Sequence, residues 1–201
     1  MANKDHSLDE KIIASAKQEF MLLGFEKASL RKIAKDADVT IGAIYTRYAN
    51  KDQLFYSLCE PLISGIKEAF SYLSESYRQV SDMRPDDFVE TMKEENDTVL
   101  HLLFDDYCGA KLLLTKSRGS SLENFFDRIV EAKINETLSF FKLVNVPHPD
   151  EDVLKMIISS QFHMYYRIIN DGFHKEKAER IMEELMVYHL SGWTALLNIR
   201  K

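Results

Sequence analysis

The sequence predicts an all-α fold. Apolar residues recur at helical spacing throughout, no segment alternates strictly for long enough to suggest a sheet, and capping patterns punctuate the apolar runs. Apolar residues are 45% of the 201, enough for a full core, and the 7 Gly and 4 Pro are too few for a disordered or fibrous chain.

The first helix opens at the capping box Ser7-Leu8-Asp9-Glu10 and carries Ile12, Ile13, Ala16 and Phe20 on one face. Gly24 closes it, where a positive φ is wanted. Ser29 can cap a second helix, "LRKIAKDA", and Thr40 stands where a third begins. Asn50-Lys51-Asp52-Gln53 repeats the capping pattern and starts a long fourth helix, in which Pro61 removes one backbone hydrogen bond and can introduce a kink. Beyond about Asp82, "MRPDDFVETMKEEND" predicts a short amphipathic helix with Pro85 near its first turn, then a longer one from about Asp97 to Thr115. A third box, Ser120-Ser121-Leu122-Glu123, opens a helix to about Val144. After "NVPHPDED" two more helices follow, near Asp152–Asn170 and His174–Asn198, separated by Gly172. The expectation is nine helices, with no internal repeat.

Composition narrows the function. No run of about 18 apolar residues occurs, so no membrane span or membrane partner is expected. The start "MANKDHSLDEK" lacks the apolar stretch of a secretory signal, and Cys59 and Cys108 suit reduced thiols, which points to the cytoplasm. There is no glycine-rich phosphate loop, nucleophile elbow or Cys/His ligand run, so no catalytic residue, metal or cofactor is expected. The net charge of −6 is unevenly placed. From Lys27 to Lys51 six basic residues face two aspartates, 6 − 2 = +4, which leaves −6 − 4 = −10 for the remainder. A local basic face is what a phosphate backbone would feel.

Within that basic segment, Ile33, Ala34, Ala37, Val39 and Ile44 have the spacing of two short helices crossing at a tight corner. With those inward, Thr40, Ile41, Gly42, Ala43, Thr46 and Arg47 are left largely outward. So thinly clothed a helix can sink into the major groove, where threonine hydroxyls and methyl groups touch base edges. Tyr45, Arg47, Tyr48, Lys51 and Ser29 suit phosphate contact, Lys51 and Ser29 at helix N-termini. The expected partner is double-stranded DNA, held by a helix-turn-helix. The competing reading is an all-α small-molecule-binding or structural protein without DNA activity, and the basic segment separates the two.

The same residues resemble the N-terminal domain of the TetR family of transcription regulators. The likeness runs from about Leu8 to Phe55 and is carried by Ser29, Ile33-Ala34, Ala37-Asp38-Val39, Thr40 through Tyr45, Tyr48 and Lys51-Asp52-Gln53-Leu54-Phe55. It implies a DNA-binding domain at 1–50 and a helical effector-binding and dimerisation domain at 51–201. The implied protein is a homodimeric repressor on a palindromic operator, released by a small effector. Asp38 replaces the usual turn Gly, and Arg47 stands where His is common. Asp tolerates the left-handed conformation better than most residues.

The last two helices are apolar on more than one side, which suggests a partner surface. Val153, Ile157 and Met164 form one stripe of the eighth helix, and Leu154, Ile158, Phe162, Tyr165 and Ile169 another. The ninth carries Met182, Met186, Leu190, Trp193 and Leu197, with Ile181, Leu185 and Tyr188 beside them. Ile158, Phe162, Tyr165, Ile169, Met186, Leu190, Trp193 and Leu197 are the expected dimer contacts, which would place recognition helices roughly 34 Å apart. His101, Phe104, Tyr107, Cys108, Phe126, Phe162, Met164 and Tyr165 are candidates for an effector pocket, because aromatic and Met side chains line adaptable cavities. Their character suggests a largely apolar or aromatic effector.

Overall fold

The computed structural model describes residues 6–79, 85–143 and 149–199. Nine α-helices fill these segments: α1 (His6–Lys27), α2 (Leu30–Asp36), α3 (Ile41–Tyr45), α4 (Lys51–Gln79), α5 (Pro85–Asp105), α6 (Tyr107–Thr115), α7 (Phe125–Leu143), α8 (Glu151–Asp171) and α9 (Lys175–Ile199). The all-α expectation holds. The chain packs as two units, one of Met1–Ile63 with Asp106–Phe125 and one of Ser64–Asp105 with Phe126–Lys201. Packing thus divides the chain inside α4, not at residue 50, and adds α6 to the N-terminal helices.

In the first unit α1 breaks at Gly24, whose φ of 74° and ψ of 167° only glycine adopts cheaply. The break turns Phe25 inward, and its N–H donates to the Lys116 carbonyl at 2.8 Å. Phe20, Phe25 and Phe55 then meet ring to ring, with centroids 5.0 to 6.1 Å apart. Ile12, Ala16, Ile33, Ile44 and Leu54 complete this core. Two buried polar groups fix α2 on α1: Ser15 Oγ donates to the Ile33 carbonyl at 3.0 Å, and Glu19 accepts from the Ser29 N–H at 3.0 Å. Helix α1 is already helical at His6, so Ser7 lies in its first turn and not at a cap.

Two boundaries differ from the sequence expectation. The break expected near Asp97 falls at Asp106, because Asp106 turns its carboxylate onto the Gly109 N–H at 3.0 Å and caps α6. Gly109 is required there, since a Cβ would lie 2.2 Å from that carboxylate. The Ser120 box shapes a turn instead of a helix start. Ser120 Oγ accepts from the Leu122 N–H and Glu123 from the Gly119 N–H, and α7 begins only at Phe125.

The second unit holds a buried polar chain. Lys133 bridges Glu95 at 2.7 Å and Glu136 at 3.1 Å, and burial pushes the Glu95 carboxyl above its usual range against the pull of Lys133. Tyr165 donates to Asn96 at 2.7 Å, and Trp193 donates to His189 Nε2 at 3.0 Å. Burial lowers the His189 pKa, which favours the neutral ring that can accept that bond.

This core takes most of the residues assigned to a dimer contact. Ile158, Phe162, Tyr165, Ile169, Met186 and Trp193 are buried within the chain, and Leu190 is half-buried. The side chain of Leu197 lies outside the described residues. Both helices are apolar on two sides, and the bulkier side is internal. Left outward are Val153, 42% exposed, and Met156, Val187 and Tyr188, each 69 to 76% exposed.

Trp193→Ala is accordingly expected to lower stability by about 3–5 kcal/mol through a core cavity. Gly109→Ala should cost about 1–3 kcal/mol by overpacking against Asp106. Urea unfolding of both variants, followed by circular dichroism, checks each value.

Candidate nucleic-acid interface

The helix-turn-helix is built from a short corner. Ala37 and Val39 donate to the carbonyls of Ile33 and Ala34 at 2.9 and 3.0 Å, which closes the end of α2. Asp38 takes a φ of 54°, the left-handed turn conformation expected of it. Ile33, Ala34, Ala37 and Ile44 are buried and Val39 half-buried, so the wedge between the two helices is the one the spacing predicts.

Thr40 caps α3. Its Oγ1 accepts from the Ala43 N–H at 3.1 Å, and the Thr46 hydroxyl donates to the Gly42 carbonyl at 2.9 Å. These bonds polarise the exposed surface. Thr46 has committed its only hydrogen, so toward a further partner it accepts; Thr40 keeps its hydrogen and can donate. Thr40, Ile41, Gly42, Tyr45 and Thr46 are all exposed, whereas Ala43 is half-buried. A Cβ at Gly42 would meet only Thr40 Oγ1, at 3.7 Å, so the chain itself does not demand glycine.

Two basic groups are placed otherwise than expected. Arg47 does not point outward: its Nε pairs with Asp9 of α1, its Nη1 donates to the Ala43 carbonyl at 3.2 Å, and 14% of its side chain is exposed. Lys51 Nζ donates to the carbonyls of Phe25, Glu26 and Ala28 at 2.8, 3.3 and 3.2 Å and lies 4.4 Å from the Phe25 ring centre. Its ammonium is a cap for the end of α1, and only the α4 backbone amides remain near it for an anion. Asn50 does cap α4, accepting from the Gln53 N–H at 2.8 Å.

Among the remaining candidates, Tyr48 is half-buried and Tyr45 is 54% exposed. Ser29 is exposed and its hydroxyl makes no capping bond to α2. Arg31 and Lys35, one turn apart on α2 and both exposed, belong with this cationic surface and were missing from the sequence-derived set. Their signal was their position opposite buried Ile33 and Ala34. Lys32 pairs instead with Asp36.

The effector candidates are shared between the two packing units. Tyr107 and Cys108 lie on α6 in the first unit, while Phe104, Phe126, Phe162, Met164 and Tyr165 belong to the second. There Phe162 meets Phe126 and Tyr165 edge-on at 6.1 and 5.9 Å. His101 stands apart, on a surface groove of about 510 Å³. Burial pushes the Cys59 thiol up to about 12 and raises Cys108, so neither is a ready nucleophile. Among the described residues no group of three or more His, Cys, Asp or Glu could hold a metal ion, and no helix is long and apolar enough to cross a membrane.

The sequence profile of the bacterial regulatory proteins of the tetR family matches residues 12–58, the span from the α1 core through the start of α4. The matched segment is the N-terminal domain of the TetR family of transcriptional regulators. The family is one of regulators and not of enzymes. No curated protein sequence matches significantly. The chain's fold is similar to that of the TetR-family regulator PfmR from Thermus thermophilus, with a TM-score of 0.63, 17% identity, and coverage of 94% of this chain and 96% of that one. It is similar also to the fatty acid degradation regulator FadR from Bacillus halodurans, at 0.60 and 18%, covering 92% and 98%. NalD of Pseudomonas aeruginosa, the secondary repressor of a multidrug efflux pump, gives 0.57 and 18%, covering 92% and 98%. These likenesses concern the fold.

Asp38→Gly should raise stability by about 0.5–1 kcal/mol, because glycine enters the left-handed region without a Cβ penalty. Denaturant midpoints of the purified variant and parent test it; an unchanged or lower midpoint would show the corner to be unstrained.

Proposed function

We propose that the protein is a homodimeric, ligand-responsive repressor that reads a palindromic operator through α3. The observation that carries this is the exposed row Thr40, Ile41, Gly42, Tyr45 and Thr46 above the single buried anchor Ile44. A helix of five residues with so little covering can enter the major groove without clash. Tyr45, Tyr48, Ser29, Arg31, Lys35 and the first amides of α4 are the groups we assign to phosphates, where they fix register. Arg47 acts indirectly, holding α3 on α1 through Asp9.

We assign the dimer contact to the outward side of the last two helices, at Val153 and Met156 of α8 and Tyr188 of α9. Exposed large apolar side chains at helical spacing favour a second copy of the same surface, since two-fold pairing buries each of them twice. The effector is assigned to the second unit. Helix α4 runs from the DNA-reading unit into the effector unit, so a ligand that prefers one position of its second half would change the spacing of the two α3 helices. A neighbour of similar fold being a repressor accords with this direction of control.

In vitro selection from a random DNA pool should enrich a palindrome, and a pool without one would remove the operator reading. Gly42→Ala should leave the fold intact yet weaken operator binding about ten-fold or more, because a methyl group intrudes where the helix meets the groove. Thr46→Val should lose about 1–3 kcal/mol at a position where the parent selects adenine or cytosine, the bases that offer an amino donor in the major groove. Tyr188→Glu should shift sedimentation to the monomer mass without a change in helix content.

A further inference from the structure

The groove that His101 borders lies between α5 and α9, wholly within the second unit. At about 510 Å³ it falls in the range of small-molecule sites, which runs from about 300 to 1,000 Å³. Its floor is apolar and already buried: Leu100, Met182 and Met186 are each at most 5% exposed, with Leu190 half-buried beside them. Each helix supplies one row of floor residues and one row of lip residues, at the three- and four-residue spacing that puts a face together. Methionine suits such a floor because an unbranched, polarisable chain repacks around whatever is bound.

The lips are charged, and unequally. Asp105, ending α5, faces Lys175, starting α9, at 3.8 Å, so the two helices run antiparallel. Asp97 and His101 consequently fall opposite Glu183 and Glu179, while Lys93 falls toward Leu190 at the other end. Three carboxylates against one ammonium leave two negative charges in excess, gathered at one end. His101 borders that end. Its Nδ1 sits 2.7 Å from the Asp97 carbonyl, which can only accept, so Nδ1 carries a proton and the ring is held against α5. The floor links inward as well, because Asn96, 2% exposed and lining the groove, accepts the buried Tyr165 hydroxyl at 2.7 Å.

We infer that this groove is the effector site and that it selects a monocationic amphiphile, an amine on an apolar or aromatic body. The ammonium lies among Asp97, Glu179 and Glu183, and the body covers Leu100, Met182 and Met186. An anionic head would meet three carboxylates, and a neutral one would leave them uncompensated. This rests on the reading of the second unit as effector-binding and gives that effector a chemical class.

Three matched probes decide it by isothermal titration calorimetry of the full-length protein, with no DNA present: 4-phenylbutylamine, 4-phenylbutanol and 4-phenylbutyrate. The amine should bind at least ten times more tightly than either analogue. In the double variant Glu179→Gln, Glu183→Gln that preference should shrink to within about three-fold, as two opposite charges are removed from the head site. Both glutamates lie on the groove lip outside the buried core, and an unchanged thermal melt confirms that the variant folds. Equal binding of amine and alcohol, tightest binding of the acid, no binding of any probe, or an amine preference untouched in the variant would each overturn the assignment. Operator binding is measured separately by selection. Amine preference without an operator would sink the repressor reading alone, and an operator without amine preference would sink this one alone.

Discussion

The DNA-reading unit depends on one ammonium. Lys51 closes the C-terminal carbonyls of α1 at Phe25, Glu26 and Ala28 and lies over the Phe25 ring. Helix ends leave carbonyls unpaired, and a cation there answers both the missing donors and the end charge of the helix. Because Lys51 is also the first residue of α4, the same contact fixes where α4 starts relative to where α1 stops. The intervening α2 and α3 are thereby strung between two fixed points. Gly24 makes the contact reachable, since its left-handed break brings Phe25 under the ammonium.

Within that frame the reading face is economical. A five-residue helix has almost no internal stability of its own, so its ends must be held by side chains. Thr40 holds one end through the Ala43 amide, Thr46 and Arg47 the other through the carbonyls of Gly42 and Ala43, and Asp9 fixes Arg47 in turn. Two of the exposed residues of α3, Thr40 and Thr46, are therefore among those that keep the helix wound. Their remaining hydrogen-bonding capacity is what local structure leaves over: a donor on Thr40, acceptors on Thr46.

Much of this was legible in the sequence and some was not, for physical reasons. Ile33, Ala34, Ala37 and Ile44 announce a buried wedge by spacing alone, and Asp38 announces a left-handed corner by residue type. Arg47 and Lys51 misled because a cation on a short helix reads as solvated, whereas their partners stand 38 and 26 residues away in sequence, at Asp9 and Phe25. The dimer stripe misled for a different reason. A helix apolar on two sides gives no sequence signal of which side is internal, and Trp193, Phe162 and Tyr165 went to the core because the bulkiest side chains gain most from it. The groove between α5 and α9 was beyond reach altogether, since it is a property of how far two helices stand apart and not of either one.

Helix α4 joins these two accounts. It belongs to the first unit as far as Ile63 and to the second from Ser64 onward. Pro61 lies inside it, exposed, just before that division. Proline has no N–H, so the hydrogen-bond ladder of α4 lacks a rung there, and a helix bends most cheaply where a rung is missing. Serine 57 contributes its hydroxyl to the Leu54 carbonyl at 2.8 Å one turn earlier, a bond that also loosens the ladder's grip on that turn. On either side the helix is anchored by buried residues, Leu54, Phe55 and Leu58 before it and Ile66 after it. The missing rung and the packing boundary thus fall together in the sequence of α4.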